Sequence, residues 1–253
     1  MLRRMTLLVV LGVALGLVFT PQAKADSVSF NMAISGGADT FVSSIAPDRN
    51  FGNRHWMGVG IHTRIVPGRH HHPIPLPEFR NSYTQSLLRF DNLFGSGQGQ
   101  IPLGSRVTRA TLRLYGHWGR GSATVGLYRM TRAWDEDTAT WASLGGGVLP
   151  GVNALATPDA ELSFVHHGHG WIELDVTQAL QAWASGENNF GWGLIVSLPD
   201  WGRWFARFRT KEAGARWAPT LNVEYSAATP EPATAWLVVG AVGLIGLRRR
   251  RSC

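Results

Sequence analysis

The sequence predicts an all-β domain, an antiparallel β-sandwich with one short helix, set between two apolar ends. Three observations predict it. From residue 28 to residue 225 the apolar residues come in short alternating runs, and a period of two puts them on one face of a strand. Gly, Pro, Asn and Asp divide these runs, the chemistry of turns between short strands. The long apolar stretches, 7–19 and 233–247, stand at the ends and leave the middle to a globular core.

The strands follow in order. Runs occur at 41–44 and 87–90; then Ala110, Leu112 and Leu114 alternate with Thr111, Arg113 and Tyr115. Further runs at 125–130, 171–176, 192–198, 204–208 and 221–225 bring the expectation to eight or more strands. One segment breaks the period. Residues 177–185 read as a helix, with Asp175 or Thr177 as N-cap, Leu180 and Trp183 one turn apart, and Gly186 as the stop. It is expected to close one end of the sandwich. Residues 62–82 contain Pro67, Pro73, Pro75 and Pro77, and each proline removes a ladder donor, so this proline- and histidine-rich insert is expected to be loop. The Gly- and Pro-rich stretch 144–159 is expected to be loop as well.

Residues 1–25 have the three parts of a secretory signal: Arg3 and Arg4, an apolar run of about 13 residues, and an Ala-x-Ala site at Ala23 and Ala25. Signal peptidase and the Sec machinery are the implied partners, with Asp26 as the first residue of the mature chain. At the other end, 229–253, Pro230, Glu231 and Pro232 precede an apolar span of about 15 residues and then Arg248, Arg249, Arg250 and Arg251. This span is expected to form a short transmembrane helix with the arginines in the cytoplasm. The order resembles the PEP-CTERM sorting signal of Gram-negative, exopolysaccharide-producing bacteria. That resemblance implies an exosortase as partner, transient anchoring in the inner membrane, and delivery to the cell surface or extracellular matrix. A plain membrane anchor is the alternative.

The formal charge of +7 would ordinarily point to nucleic acid. Of 24 Lys and Arg, however, three lie in the leader and four in the tail, while only Glu231 of the 17 acidic residues lies outside the middle. The domain from 26 to 228 is therefore nearly neutral, and nucleic acid is not an expected partner. The single cysteine, Cys253, belongs to the tail, so stability must come from a hydrophobic core rather than a disulfide.

An ordered series of segments then carries a second resemblance. ADTFV at 38–42, Asn50-Phe51-Gly52, LLRFD at 87–91, IPLG at 101–104, ATLRLY at 110–115, VGLYRMTRAWDEDTATW at 125–141, the 175–183 helix, 189–194, Lys211-Glu212 and PTLNVEY at 219–225 resemble the DNRLRE domain, also classed as carbohydrate-binding module family 96. The resemblance implies a jelly-roll β-sandwich in a secreted protein, with acidic polysaccharide such as alginate as ligand. No cofactor is called for. The one metal expectation is a structural calcium ion, with Asp39 at a strand start as an oxygen ligand.

The segment 201–211 is the strongest candidate site. As a strand it sets Arg203, Phe205, Arg207 and Arg209 on one face and Trp204, Ala206 and Phe208 on the other. Guanidinium forks suit carboxylates, and rings offer apolar faces to sugars. A solvated face with arginine packed on rings is the competing use of this pattern. Trp201 and Trp118 are added as stacking candidates, with Trp56 and Trp217, whereas Trp134, Trp141 and Trp183 are assigned to the core. The histidines at 70–72 and at His166, His167 and His169 match no zinc spacing and are assigned to loops. Asp135, Asp137 and Thr138 are assigned to local turn bonding. No nucleophile elbow, phosphate loop or zinc-protease helix is present. The expected function is thus a non-catalytic, polysaccharide-binding surface or matrix protein. The alternatives are a purely structural matrix protein acting through protein contacts, and a polysaccharide lyase or hydrolase.

Overall fold

The computed structural model describes residues 25–66, 78–119, 121–197 and 203–227. The expected signal helix and C-terminal transmembrane helix, with Ala23, Pro230, Glu231, Pro232 and Arg248 to Arg251, lie outside these residues. Among the described residues no helix is long and apolar enough to cross a membrane.

The elements in chain order are β1 (Ala25–Asn31), α1 (Met32–Ser35), β2 (Gly37–Ser43), β3 (Trp56–Val66), β4 (Glu78–Phe90), β5 (Arg106–Trp118), β6 (Ala123–Arg129), β7 (Ala160–Phe164), β8 (Gly168–Asp175), α2 (Thr177–Ala184), β9 (Trp192–Ser197), β10 (Trp204–Arg209), a 3-10 turn (Lys211–Ala213) and β11 (Thr220–Ser226). The strands form one curled sheet in the order β1-β11-β5-β10-β3-β4-β9-β6-β7, with β2 added on β4 and β8 on β5. Every strand pair is antiparallel. The structure is therefore mostly β, with few helices.

Alternation shapes the core. Along β5, Ala110, Leu112 and Leu114 are fully buried while Thr111, Arg113 and Tyr115 are half-exposed. They meet Phe208, Trp192 and Leu88 in the main core. Strand β4 departs from simple alternation because both its faces are covered. Leu88 enters the main core, and Leu87 enters a second one with Val42, Trp134 and Val148 beneath the 130–159 segment. Its part from 144 to 159 is loop, as expected, but it is pinned from within. Asn153 accepts from Leu149 N at 2.7 Å and donates to Leu144 O and Gly147 O, each at 2.9 Å. Gln85 accepts from Val148 N at 2.7 Å. These bonds replace the ladder partners that a buried loop backbone would otherwise lack.

Helix α2 forms where the pattern predicts it. Its N-cap position is Val176, not Asp175 or Thr177, yet Asp175 still takes the Thr177 N–H at 2.9 Å. The Thr177 hydroxyl and N–H hold the Asp175 carboxyl below its usual range. Gly186 ends the helix at φ +104, a conformation glycine adopts without a Cβ clash. Trp183 is buried, its ring 4.6 Å from that of Trp192. Each ring buries about 150–250 Å², on the order of 4–6 kcal/mol of transfer free energy at about 25 cal/mol per Å².

The stretch 62–82 corrects an expectation. The ladder between β3 and β4 continues from His62↔Ser82 to Val66↔Glu78. The prolines at 67, 73, 75 and 77 all fall beyond it and outside the described residues. A proline bars its own position from donating to a ladder, not the residues before or after it, and the expectation of loop covered the stretch as a whole.

A cationic and aromatic sheet face beside a buried carboxylate cluster

Strand β10 alternates as its sequence predicts: Trp204, Ala206 and Phe208 are buried, while Phe205 and Arg209 are half-buried and Arg207 exposed. Residues directly opposite in an antiparallel ladder share a face. Phe205, Arg207 and Arg209 stand opposite Gly60, Gly58 and Trp56 of β3. Arg207 also stands opposite His117 of β5, and His117, Tyr115 and Arg113 stand opposite His169, Trp171 and Glu173 of β8. The outer face of β3, β10, β5 and β8 is therefore one continuous strip of cations and rings.

The arginines lie against the rings. The Arg207 guanidinium is 4.4 Å from the Trp56 ring centroid and 5.5 Å from that of Phe205. Trp56 itself stacks on Phe41 at 4.9 Å, which fixes it from behind. The β3 glycines make room for this arrangement. A Cβ on Gly58 would come within 2.6 Å of Phe205 Cζ, and one on Gly60 within 2.7 Å of Phe205 Cδ2. A second group lies across β5 and β8. Tyr115 is 4.3 Å from Trp217 and 5.4 Å from Trp171, with Arg216 over Trp217 at 4.7 Å and Arg113 over Trp171 at 4.9 Å. Arg113 also pairs with Glu173 at 2.9 Å. Arg203 Nη2 lies 3.4 Å from His62 Nδ1, at a shallow cleft of about 400 Å³ that also reaches Phe205 and Arg207. A larger cleft of about 550 Å³ near Arg109 and Glu224 has no ring in its lining, so the smaller one matches sugar chemistry better.

Two candidate residues fall elsewhere. Trp118 is opposite Ala206 and points inward, its ring 5.0 Å from that of Phe164; strand parity, hidden by its place near a turn, packs it half-buried against the main core. Trp201 lies outside the described residues, as do His70, His71 and His72. His169 is on β8 rather than in a loop and faces out beside His117. Tyr115, Trp171, Arg113 and Arg216 were not singled out from sequence, although the alternation in β5 already set Tyr115 and Arg113 outward. What sequence lacked was the register that lines β5 and β8 up with β10.

Asp39 is fully buried and draws together residues from three distant segments. Its backbone N–H donates to Glu136 Oε1 at 3.1 Å, and its Oδ2 accepts from Lys211 N at 2.9 Å. The Lys211 ammonium donates to Glu136 Oε2 and to Gly37 O, and lies 3.8 Å from Glu212 Oε1. Around it, Asn50 donates to Glu136 O and to Ala139 O at 3.0 Å. Asp135 Oδ1 accepts from Asp137 N and from the Thr138 hydroxyl, the local bonding expected of them. Among the described residues Asp39, Glu136 and Glu212 are the group able to hold a metal ion. Sequence suggested Asp39 alone. The other two carboxylates were hidden by their separation along the chain.

Burial raises the Asp39 carboxyl to about 8, with the charges of Glu212 and Glu136 adding to it and the Lys211 N–H opposing it. Burial likewise raises Glu136, only partly offset by its bond from Lys211. For Lys211, burial works against the ammonium, but Glu136, Glu212 and Asp39 together hold it above the ordinary lysine range. A raised carboxylate pKa means the folded chain keeps a proton that the unfolded chain releases. The stability this gives is complete below about pH 4 and is lost as pH rises to about 8, by up to about 1.4 kcal/mol per pH unit. Urea unfolding in chelator-containing buffer across that range is expected to show a falling midpoint; a midpoint rising from pH 5 to 8 would refute it.

A search of curated proteins returned no match. The model of one family, carbohydrate-binding module family 96, matches residues 31–225. The match runs from the end of β1 to the last strand and takes in both the arginine-aromatic face and the carboxylate cluster. It covers well over half of the chain, and the chain belongs to carbohydrate-binding module family 96.

Proposed function

We propose that this protein is exported and non-catalytic, and that it holds an acidic polysaccharide on the outer face of β3, β10, β5 and β8. The observation that carries the reading is the set of arginines on that face beside half-buried rings and the exposed Trp171. Among the described residues Arg207 has a ring on its flank and no carboxylate partner. Such a guanidinium is held in place yet free to take a uronate carboxylate through its fork. Family membership supports carbohydrate as the ligand class.

Export to the cell surface or matrix of a Gram-negative bacterium rests on the two ends of the sequence. The leader is read by signal peptidase and Sec. The Pro230-Glu231-Pro232 tail with its arginine block is read by an exosortase during transient anchoring in the inner membrane. The jelly-roll arrangement and the DNRLRE assignment belong to the same reading. Mass spectrometry of the secreted form is expected to find a chain ending near Pro230; recovery of the intact tail in the inner membrane would contradict sorting.

Affinity electrophoresis of the full chain through gels holding alginate, pectate or a neutral glucan tests the ligand. Retardation is expected in the polyuronate gels and is expected to weaken with salt. Equal mobility in all gels would rule the reading out. A second reading comes from Tyr115, His117 and Arg207 on the same face, since a lyase needs an acid, a base and a cation near the uronate. Incubation with alginate is expected to yield no unsaturated chain ends; their appearance would replace binding by catalysis.

A further inference from the structure

We propose that Asp39, Glu136 and Glu212 together hold one calcium ion, which ties the start of β2, the 134–141 loop and the 3-10 turn to one another. Their donor atoms all lie within 4.8 Å of one another. Three atoms so spaced lie no more than about 2.8 Å from a common centre, so a small inward movement brings each into the calcium–oxygen range of about 2.3–2.6 Å, whereas the 2.0–2.1 Å of magnesium asks for a larger one.

A second observation points to a ligand. Asp39 is fully buried and its Oδ1 has no hydrogen-bond donor, and Glu212 Oε2 is also buried without one. A carboxylate oxygen removed from water without a donor is strongly unfavourable unless a cation or a proton meets it. Lys211 answers only part of this demand. Its ammonium is engaged by Glu136 and Gly37 O, so one positive charge faces three carboxylates. The two orphaned oxygens belong to Asp39 and Glu212, the carboxylates whose side chains it does not hydrogen-bond. A divalent ion with all-oxygen ligands and a tolerance for irregular geometry suits what remains.

The test uses the full chain, stripped with chelator and then titrated with calcium chloride, with thermal unfolding and calorimetry as readouts. The midpoint is expected to rise by about 5–10 °C at a hundredfold excess over Kd, with one ion bound per chain and a weaker response to magnesium. Asp39→Asn and Glu212→Gln are each expected to abolish the rise, while Asp135→Asn, at an exposed turn, keeps it. Three outcomes would overturn the proposal: no response to millimolar calcium; a response that survives both variants, which would put the ion elsewhere; or an Asp39→Asn protein as stable as the calcium-treated wild type, which would mean that a proton is the resident cation. If Asp39→Asn fails to fold, Glu212→Gln decides alone. None of these results bears on glycan retention, so the two readings stand or fall separately.

Discussion

Alanine in place of Arg207 is expected to weaken retention by a polyuronate roughly ten- to a hundredfold. A hydrogen bond to a charged group contributes about 1.5–3 kcal/mol, and each 1.4 kcal/mol is a factor of ten. Arg207 is exposed and stands at the centre of the strip, opposite both Gly58 and His117. Its loss should leave folding nearly untouched, because a substitution at an exposed residue outside the core usually changes stability by less than about 0.5 kcal/mol. Arg207→Lys separates charge from shape. The ammonium keeps the charge but loses the planar fork and the flat contact with Trp56, so its retention should fall between wild type and alanine. Affinity electrophoresis of the three proteins at two salt concentrations gives the measurement. Equal retention of wild type and alanine variant would move the binding face elsewhere.

The parts of this face that were legible in the sequence are those that depend on parity within one strand. The alternation of Arg203, Phe205, Arg207 and Arg209 with Trp204, Ala206 and Phe208 needs only the pleat. The same holds for β5, where Leu112 and Leu114 go in and Arg113 and Tyr115 go out. What sequence does not carry is which strands are neighbours. Trp118 belongs to the inner parity of β5, but a tryptophan near a turn reads as exposed until its opposite number is known to be Ala206. Composition misled at 62–82 for a related reason: four prolines raised the whole stretch to loop, although the ladder runs to Val66 and resumes at Glu78.

The carboxylate cluster was less legible still. Asp39, Glu136 and Glu212 come from a strand, a turn-rich loop and a 3-10 turn, and no period links them. Glu136 sits between Asp135 and Asp137, whose bonds stay within their own turn. The surrounding residues thus suggested local bonding for a side chain that in fact reaches across the fold. Asn50, which binds the carbonyls of Glu136 and Ala139, and the Lys211-Glu212 pair entered the sequence reading only as segments of the family resemblance, with nothing to tie them to Asp39.

Methionine in place of Lys211 is expected to be the most destabilising change at this cluster. Removing one partner from a buried ion pair costs about 3–5 kcal/mol because the other charge is left uncompensated. The side chains of Lys211 and Glu136 are 24% and 17% exposed, which favours the lower end, about 3 kcal/mol, or a fall in melting temperature of roughly 6–12 °C for a domain of this size. The loss should depend on pH in a definite direction. Asp39 and Glu136 are already raised by burial, and without the lysine they are raised further, so acid lets them discharge by taking up protons. In chelator-containing buffer the deficit of the variant is therefore expected to be larger at pH 9 than at pH 5. Glu136→Gln in the same chain should recover part of it, since the amide keeps an acceptor for the Asp39 N–H while removing one negative charge. A deficit equal at both pH values, with no recovery in the double variant, would mean that Lys211 serves this fold by packing its stem and not by its charge.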